Sequence, residues 1–253
     1  MHDLGGAVYV YGVLESPGPE LSMPGVGGAR VTLVERRGLA ALTSRLPQTN
    51  LRAADVRAHW SVLEKTFESS AVLPLRFGTA MESEEDVRGR LLDDNAEQLT
   101  RLLEDLAGLV QLNVKARYDE EVLLREIVES CEPVARLRQR LRRDPEGVAA
   151  EAERIRLGRL VDQEAARCRE EDASAALEEL ELLAVDTRVE QAAHPVAFNL
   201  TFLVRCTRRE EFDEAVARLR ERLGSRVEIR YVGPLPPYSF VEVQLDLGRA
   251  AWA

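Results

Sequence analysis

The sequence predicts an α+β protein in two parts with a long helical stretch between them, and three observations carry this reading. Strand-like segments lie at 7–13, which is β-branched and aromatic, and at 110–118 and 196–204, where apolar residues recur with a period of two. Leucine-rich stripes of helical period stand between the first two. Residues 146–183 contain no proline and only two glycines, Gly147 and Gly158. At roughly 1.5 Å per residue such a helix reaches on the order of 50 Å, longer than a small compact domain needs.

The first part runs as follows. Ala7 to Val13 is β-branched and aromatic, and a Gly/Pro-rich loop follows from Ser16 to Gly28. Ala29–Glu35 and Leu39–Thr43 read as a hairpin around Arg36-Arg37-Gly38, where glycine accepts the positive φ of a tight turn. Val56, Trp60, Leu63 and Phe67 recur at helical spacing, and Ser70–Leu75 is extended up to Pro74. Ser83 with Asp86 resembles a capping box for one helix carrying Leu91, Leu92, Leu99, Leu102, Leu103 and Leu106, which stops at Gly108. In Val110, Leu112, Val114, Ala116 and Tyr118 the period falls to two. The order predicts a ferredoxin-like domain over 1–118, with helices on one face of a mainly antiparallel sheet.

The second part spans 119–253, with a helical segment at 119–184 and an α+β portion at 185–253. Leu123, Leu124 and Ile127 start it, and Pro133 opens a further helix. The seam of the long helix passes through Ile155, Leu160, Val161, Cys168, Ala176, Leu180 and Leu183 but is interrupted at Asp172. That flaw favours antiparallel packing against the helices of 119–143 over a long parallel dimer, so a monomer is favoured. Phe198, Leu200, Phe202 and Val204 mark a strand, Phe212, Val216, Leu219 and Leu223 a helix ended by Gly224. Strands follow at Val227–Tyr231 and Val241–Leu247, joined through Gly233-Pro234-Leu235-Pro236-Pro237-Tyr238, whose prolines impose an extended connection.

Composition excludes several roles. The chain has 253 residues, 45% of them hydrophobic, yet no run approaches the roughly 18 apolar residues of a membrane helix. The start of the sequence shows no secretory pattern. A net charge of -10 opposes general binding to the nucleic acid backbone. Only Lys65 and Lys115 are lysines, so nearly every cation is an arginine suited to bidentate pairing with carboxylates. The arginines at 136, 138, 140, 142 and 143 read as a solvated helix end.

Catalytic, metal and cofactor sites are not expected. His2, His59 and His194 lie far apart, and Cys131, Cys168 and Cys206 form no CxxC pair, which fits structural thiols in a reducing cytoplasm. Pro24–Gly28 lacks the GK[ST] of a phosphate loop and precedes a strand. Two segments suit either structural packing or contact with a partner: Arg76 and Phe77 in Leu73-Pro74-Leu75-Arg76-Phe77-Gly78-Thr79, and Pro236, Pro237, Tyr238 and Phe240 in the proline-rich connection. A buried Arg76 would need an ionic or carbonyl partner, and flat rings on a pre-ordered backbone serve either core packing or docking.

Tyr9-Val10-Tyr11-Gly12-Val13, His59-Trp60-Ser61-Val62-Leu63-Glu64, the stretch Val72–Thr79, Phe198–Val204 and Gly233-Pro234-Leu235-Pro236-Pro237-Tyr238-Ser239-Phe240-Val241 together resemble the gas vesicle protein F and L family. The likeness runs in order from about residue 7 to 245. Leu235 departs from it, standing where many members carry a second aromatic. The resemblance implies a modified ferredoxin-like N-terminal domain and a C-terminal α+β domain with a coiled-coil-like part. It also implies a non-enzymatic accessory or minor structural role in building gas vesicles, at the vesicle or in the cytoplasm. The implied partners are the small hydrophobic major shell protein and other gas vesicle accessory proteins. Ferredoxin-like sheets also bind small ligands, so a regulatory or enzymatic ligand-binding protein is the competing reading.

Overall fold

In the computed structural model, residues 7–46, 51–192 and 195–241 are described. The chain divides into two compact units, residues 1–111 with 234–253 and residues 112–233.

The first unit is built on a sheet of β1 (Val8–Glu15), β2 (Val31–Arg36), β3 (Leu39–Arg45), β4 (Leu73–Pro74) and β5 (Ala80–Met81). Its order is β2-β3-β1-β4, with β5 also on β1, and every pairing is antiparallel. This is the 2-3-1-4 order of a ferredoxin-like sheet, with the first crossover helix replaced by the 16–30 loop. Arg37 and Gly38 both take positive φ, 51° and 78°, the geometry of a two-residue hairpin turn.

Both faces of this sheet are covered, where the sequence reading expected helices on one face. Val8, Val10 and Val13 face a core with Val87, Leu91, Leu92, Leu99 and Leu103, while Tyr9, Tyr11 and Leu14 face another with Val62 and Leu63 of α1 (Ala53–Phe67). The continuous apolar run from Ala7 to Leu14 is the signature of a strand buried on both sides. Gly12 is required at the β1 bulge: a Cβ there would lie 2.6 Å from the Leu73 carbonyl oxygen and 2.9 Å from Leu63.

The single helix expected after Ser83 is divided into three. Ser83 caps α2 (Glu84–Asp86), a π-helical turn spans Val87–Asp93, and α3 (Ala96–Leu106) follows. The Asp94 amide reaches back five residues to the Gly89 carbonyl, 3.0 Å, and the Asn95 side-chain amide donates to the carbonyls of Arg90 and Leu91. The wider turn frees these carbonyls, and Asn95 satisfies them.

The strand at 109–118, β6 (Leu109–Tyr118), pairs in the second sheet, not in the first as the sequence reading placed it. The two remaining strands of the first sheet that lie beside β1 come instead from the short β4 and β5. In the second unit β6 is followed by α4 (Glu120–Ser130), α5 (Glu132–Arg143), α6 (Ala150–Glu181), β7 (Ala184–Glu190), β8 (Val196–Arg205), α7 (Arg209–Leu223) and β9 (Val227–Leu235). The sheet order β7-β8-β6-β9 is again 2-3-1-4, with the first crossover expanded to three helices. β7 escaped the sequence reading because its two valines, Val185 and Val189, stand four residues apart with Asp186, Thr187 and Arg188 between them, too sparse for an apolar alternation. The expected strand positions Val243, Leu245 and Leu247 lie outside the described residues, as do His2 and His194.

α5 and α6 fold back on one another around 144–149, with Arg140 and Glu153 paired at 3.4 Å. Asp172 is no flaw in this packing. It is 5% exposed, accepts a 2.7 Å hydrogen bond from the Tyr118 hydroxyl and pairs with Arg226, which also reaches Glu126. A buried carboxylate held by two donors in this way ties α6, β6 and α4 to the start of β9.

Candidate functional site

The two segments singled out in the first unit converge on one aromatic cluster. Tyr9 and Tyr11, two residues apart on β1, point to the same face and are fully buried, with ring centroids 4.9 Å apart. His59, on α1 above them, is also fully buried. Phe77 packs 5.7 Å from His59, and Trp60 lies 4.8 Å from His59 and 4.6 Å from Tyr238. The edge-to-face arrangement of Trp60 and Tyr238 is the favoured aromatic geometry.

A chain of polar contacts threads the rings. The Gly78 amide donates to the Tyr9 hydroxyl at 3.0 Å, which leaves the hydroxyl proton for His59 Nδ1 at 2.9 Å. His59 is therefore a neutral acceptor at Nδ1, and its buried Nε2 has no hydrogen-bond partner among the described residues. Burial pushes its pKa down to about 4. Burial likewise raises the pKa of Tyr9, Tyr11 and Tyr238.

The neighbouring glycine loop is not a phosphate cradle. The Val26 amide donates to the Tyr11 hydroxyl at 2.7 Å and the Gly27 amide to Asp55 at 2.9 Å, so the backbone donors an anion would use are taken. The Asp55 carboxylate also accepts from the Arg52 amide at the start of α1, and these backbone hydrogen bonds, that from Arg52 first, hold its pKa low.

The turn between β4 and β5 is pinned to both sides of β1's bulge, by Leu75 to the Tyr11 carbonyl and by Val10 to the Thr79 carbonyl, each 2.9 Å. The Thr79 hydroxyl closes it on the Arg76 carbonyl at 2.8 Å, and Gly78 takes φ 93°. Phe77 points inward, but Arg76 is exposed and needs no buried counter-ion. In the proline-rich segment Pro236 and Pro237 are buried, Tyr238 and Phe240 are half-buried, and the Ser239 amide donates to Gln111 at 2.8 Å. Of the six residues chosen from sequence, the structure thus brings Phe77 and Tyr238 into one cluster, buries both prolines, and exposes Arg76.

A second feature was missed from sequence. In the second unit a groove of about 430 Å³ runs between α6 and the β7–β8 strands, walled by Ala173, Leu177, Val189, Phe198 and Leu200. Arg169 lines it with its Nε buried and, among the described residues, without a hydrogen-bond partner. The three cysteines are free thiols, and among the described residues no group of three or more His, Cys, Asp or Glu side chains is placed to hold a metal. No helix among them is long and apolar enough to cross a membrane.

Residues 7–242 match the model of the family described as gas vesicle synthesis protein GvpL/GvpF. A relative named gas vesicle protein F from Streptomyces sp. (strain CB03234) is 32% identical, over 93% of this chain and 100% of its own length. Another of that name from Haloferax mediterranei is 28% identical, with 94% of each chain covered. Among solved structures, the gas vesicle protein GvpF from Anabaena sp. PCC7120 superposes with a TM-score of 0.79 at 24% identity, covering 94% of this chain and 99% of its own. That likeness, at such identity, speaks for the fold.

Proposed function

Because the chain belongs to the gas vesicle synthesis protein GvpL/GvpF family, we propose that it is a non-enzymatic assembly factor that binds the small hydrophobic shell protein of gas vesicles and promotes shell nucleation. The observation that carries this reading is the family match across 7–242; Tyr9, Tyr11, Trp60, Phe77 and Tyr238, from four of the stretches that carry the resemblance, pack in the aromatic cluster of the first unit. In this reading the cluster is the scaffold and Arg76 the contact. The buried relay through Tyr9 and His59 and the inward Phe77 fix the turn, and the exposed guanidinium is presented for pairing with a carboxylate of the partner. Phe240, half-buried beside exposed Ser239, extends the same contact. The acidic surface keeps the factor soluble beside an aggregation-prone client. Its place of work is the growing vesicle in the cytoplasm, among other gas vesicle proteins.

Co-expression with the tagged shell protein tests this. The wild-type chain is expected to co-purify and Arg76→Ala to be lost from the complex while keeping its melting temperature. Failure of the wild type to co-purify would sink the reading; full retention of Arg76→Ala would sink only the assignment of the surface.

The groove beside α6 favours a second reading, a small-ligand site, since its volume falls in the range of roughly 300–1,000 Å³ typical of ligand pockets and it holds an unpaired arginine nitrogen. A thermal-shift screen of carboxylate and phosphate metabolites decides it: a specific shift abolished by Arg169→Met supports a ligand, and a flat screen removes it.

A further inference from the structure

β7 ends the second sheet, and among the described residues no strand pairs with its outer edge. Such an edge presents its backbone to any strand of matching pattern, and the Thr187 amide at its centre is held at 2.7 Å by the Asp186 carboxylate, a local bond that strand pairing exchanges for a cross-strand one. Val185 and Val189 on it are 50% and 64% exposed. Asp186 and Arg188 alternate with them and form an ion pair at 3.2 Å within the strand.

Read as a partner for itself, the sequence Val185-Asp186-Thr187-Arg188-Val189 is self-complementary. We propose that β7 pairs antiparallel with β7 of a second copy of this chain, about a two-fold axis at Thr187. Asp186 then lies opposite Arg188 of the second copy, and Arg188 opposite its Asp186. On the other face Val185 lies opposite Val189 of the second copy, and the reverse. Each of these is a favourable cross-strand pair, and an isologous contact closes as a dimer without growing into a fibre. An axis at Asp186 or Arg188 would set like charges opposite each other. An axis at Val189 would oppose Arg188 to Glu190, whose carboxylate already accepts from Asn199, and would keep only one valine pair. The irregularity between Ala184 and Asp186 ends the regular stretch, so the pairing is short and the dimer forms with concentration. This inference stands independently of the shell-protein reading.

Sedimentation velocity across a concentration series of the full chain tests it. The wild type is expected to rise from the 28.3 kDa monomer toward twice that mass. Asp186→Arg alone and Arg188→Asp alone each oppose like charges and are expected to stay monomeric. An equimolar mixture of the two single variants restores complementarity and is expected to form the dimer, as is the double variant Asp186→Arg/Arg188→Asp. Thermal melts establish that each variant is folded. A wild type that stays monomeric up to its solubility limit overturns the proposal. So do folded single variants that dimerise as the wild type does, or a mixture and double variant that remain monomeric.

Discussion

Tyr9 and His59, fifty residues apart in sequence, share a 2.9 Å hydrogen bond in which the tyrosine is the donor. The direction follows from the Gly78 amide, which already occupies the tyrosine oxygen as an acceptor. With the imidazole neutral, Nδ1 takes the Tyr9 proton; protonating His59 removes that acceptor from a buried hydroxyl.

This makes the first unit acid-sensitive in a defined window. His59 has a folded pKa of about 4 against an ordinary 6.5, so below 6.5 the unfolded chain binds a proton that the folded chain does not. Stability is full above about pH 6.5 and falls as the pH drops toward 4, by on the order of 3 kcal/mol from this group. Melting temperatures of the wild type and His59→Gln between pH 7 and 4 check it: the glutamine variant, which cannot titrate, is expected to show the shallower decline.

Tyr238 separates ring packing from the hydroxyl. Its oxygen is buried and, among the described residues, has no hydrogen-bond partner, while its ring packs on Trp60. Tyr238→Phe is expected to hold or raise stability, by up to about 1 kcal/mol, and Tyr238→Ala to lower it by about 2 kcal/mol. Chemical denaturation of the three proteins reads both.

Asp172 is expected to resist correction toward an ideal helix seam. Asp172→Leu would suit the apolar stripe yet leave Arg226 and Tyr118 without their shared carboxylate, at a cost of about 3 kcal/mol. Adding Arg226→Met and Tyr118→Phe is expected to recover most of that loss in urea titrations.

Gly12→Ala is expected to destabilise by about 2 kcal/mol or more, because the new methyl group meets the rigid Leu73 carbonyl and not a side chain that can swing away. Loss of the β1–β4 pairing should appear as faster amide exchange at Val13 and Leu75.

Much of the architecture was legible because period and punctuation coincide. The hairpin turn at Arg37-Gly38, the strict alternation through β6 and the stop at Gly224 are local features, and the structure has them where the residues predict. What was not legible depends on contacts far apart in sequence. Nothing local to 109–118 tells which sheet it joins, and Asp172 looks like an error until Tyr118 and Arg226 stand beside it. The break at Asn95 hides in an unbroken leucine stripe because a π-turn preserves the apolar face while changing the hydrogen bonds. For the candidate site, sequence picked the right segments but not their roles: Arg76 faces outward, whereas Pro236 and Pro237 are interior.

The Ser239–Gln111 bond closes a separation of 128 residues, and it sets an order on biosynthesis. Residues 112–233 are contiguous in the chain, so every one of them is synthesised before Pro234. The first unit begins earlier but draws on the last-made residues, since Tyr238 packs on Trp60. A released chain truncated before residue 238 would keep every residue of the second unit yet leave Trp60 without the ring that packs on it, which marks it as different from the full-length product by an uncovered aromatic face.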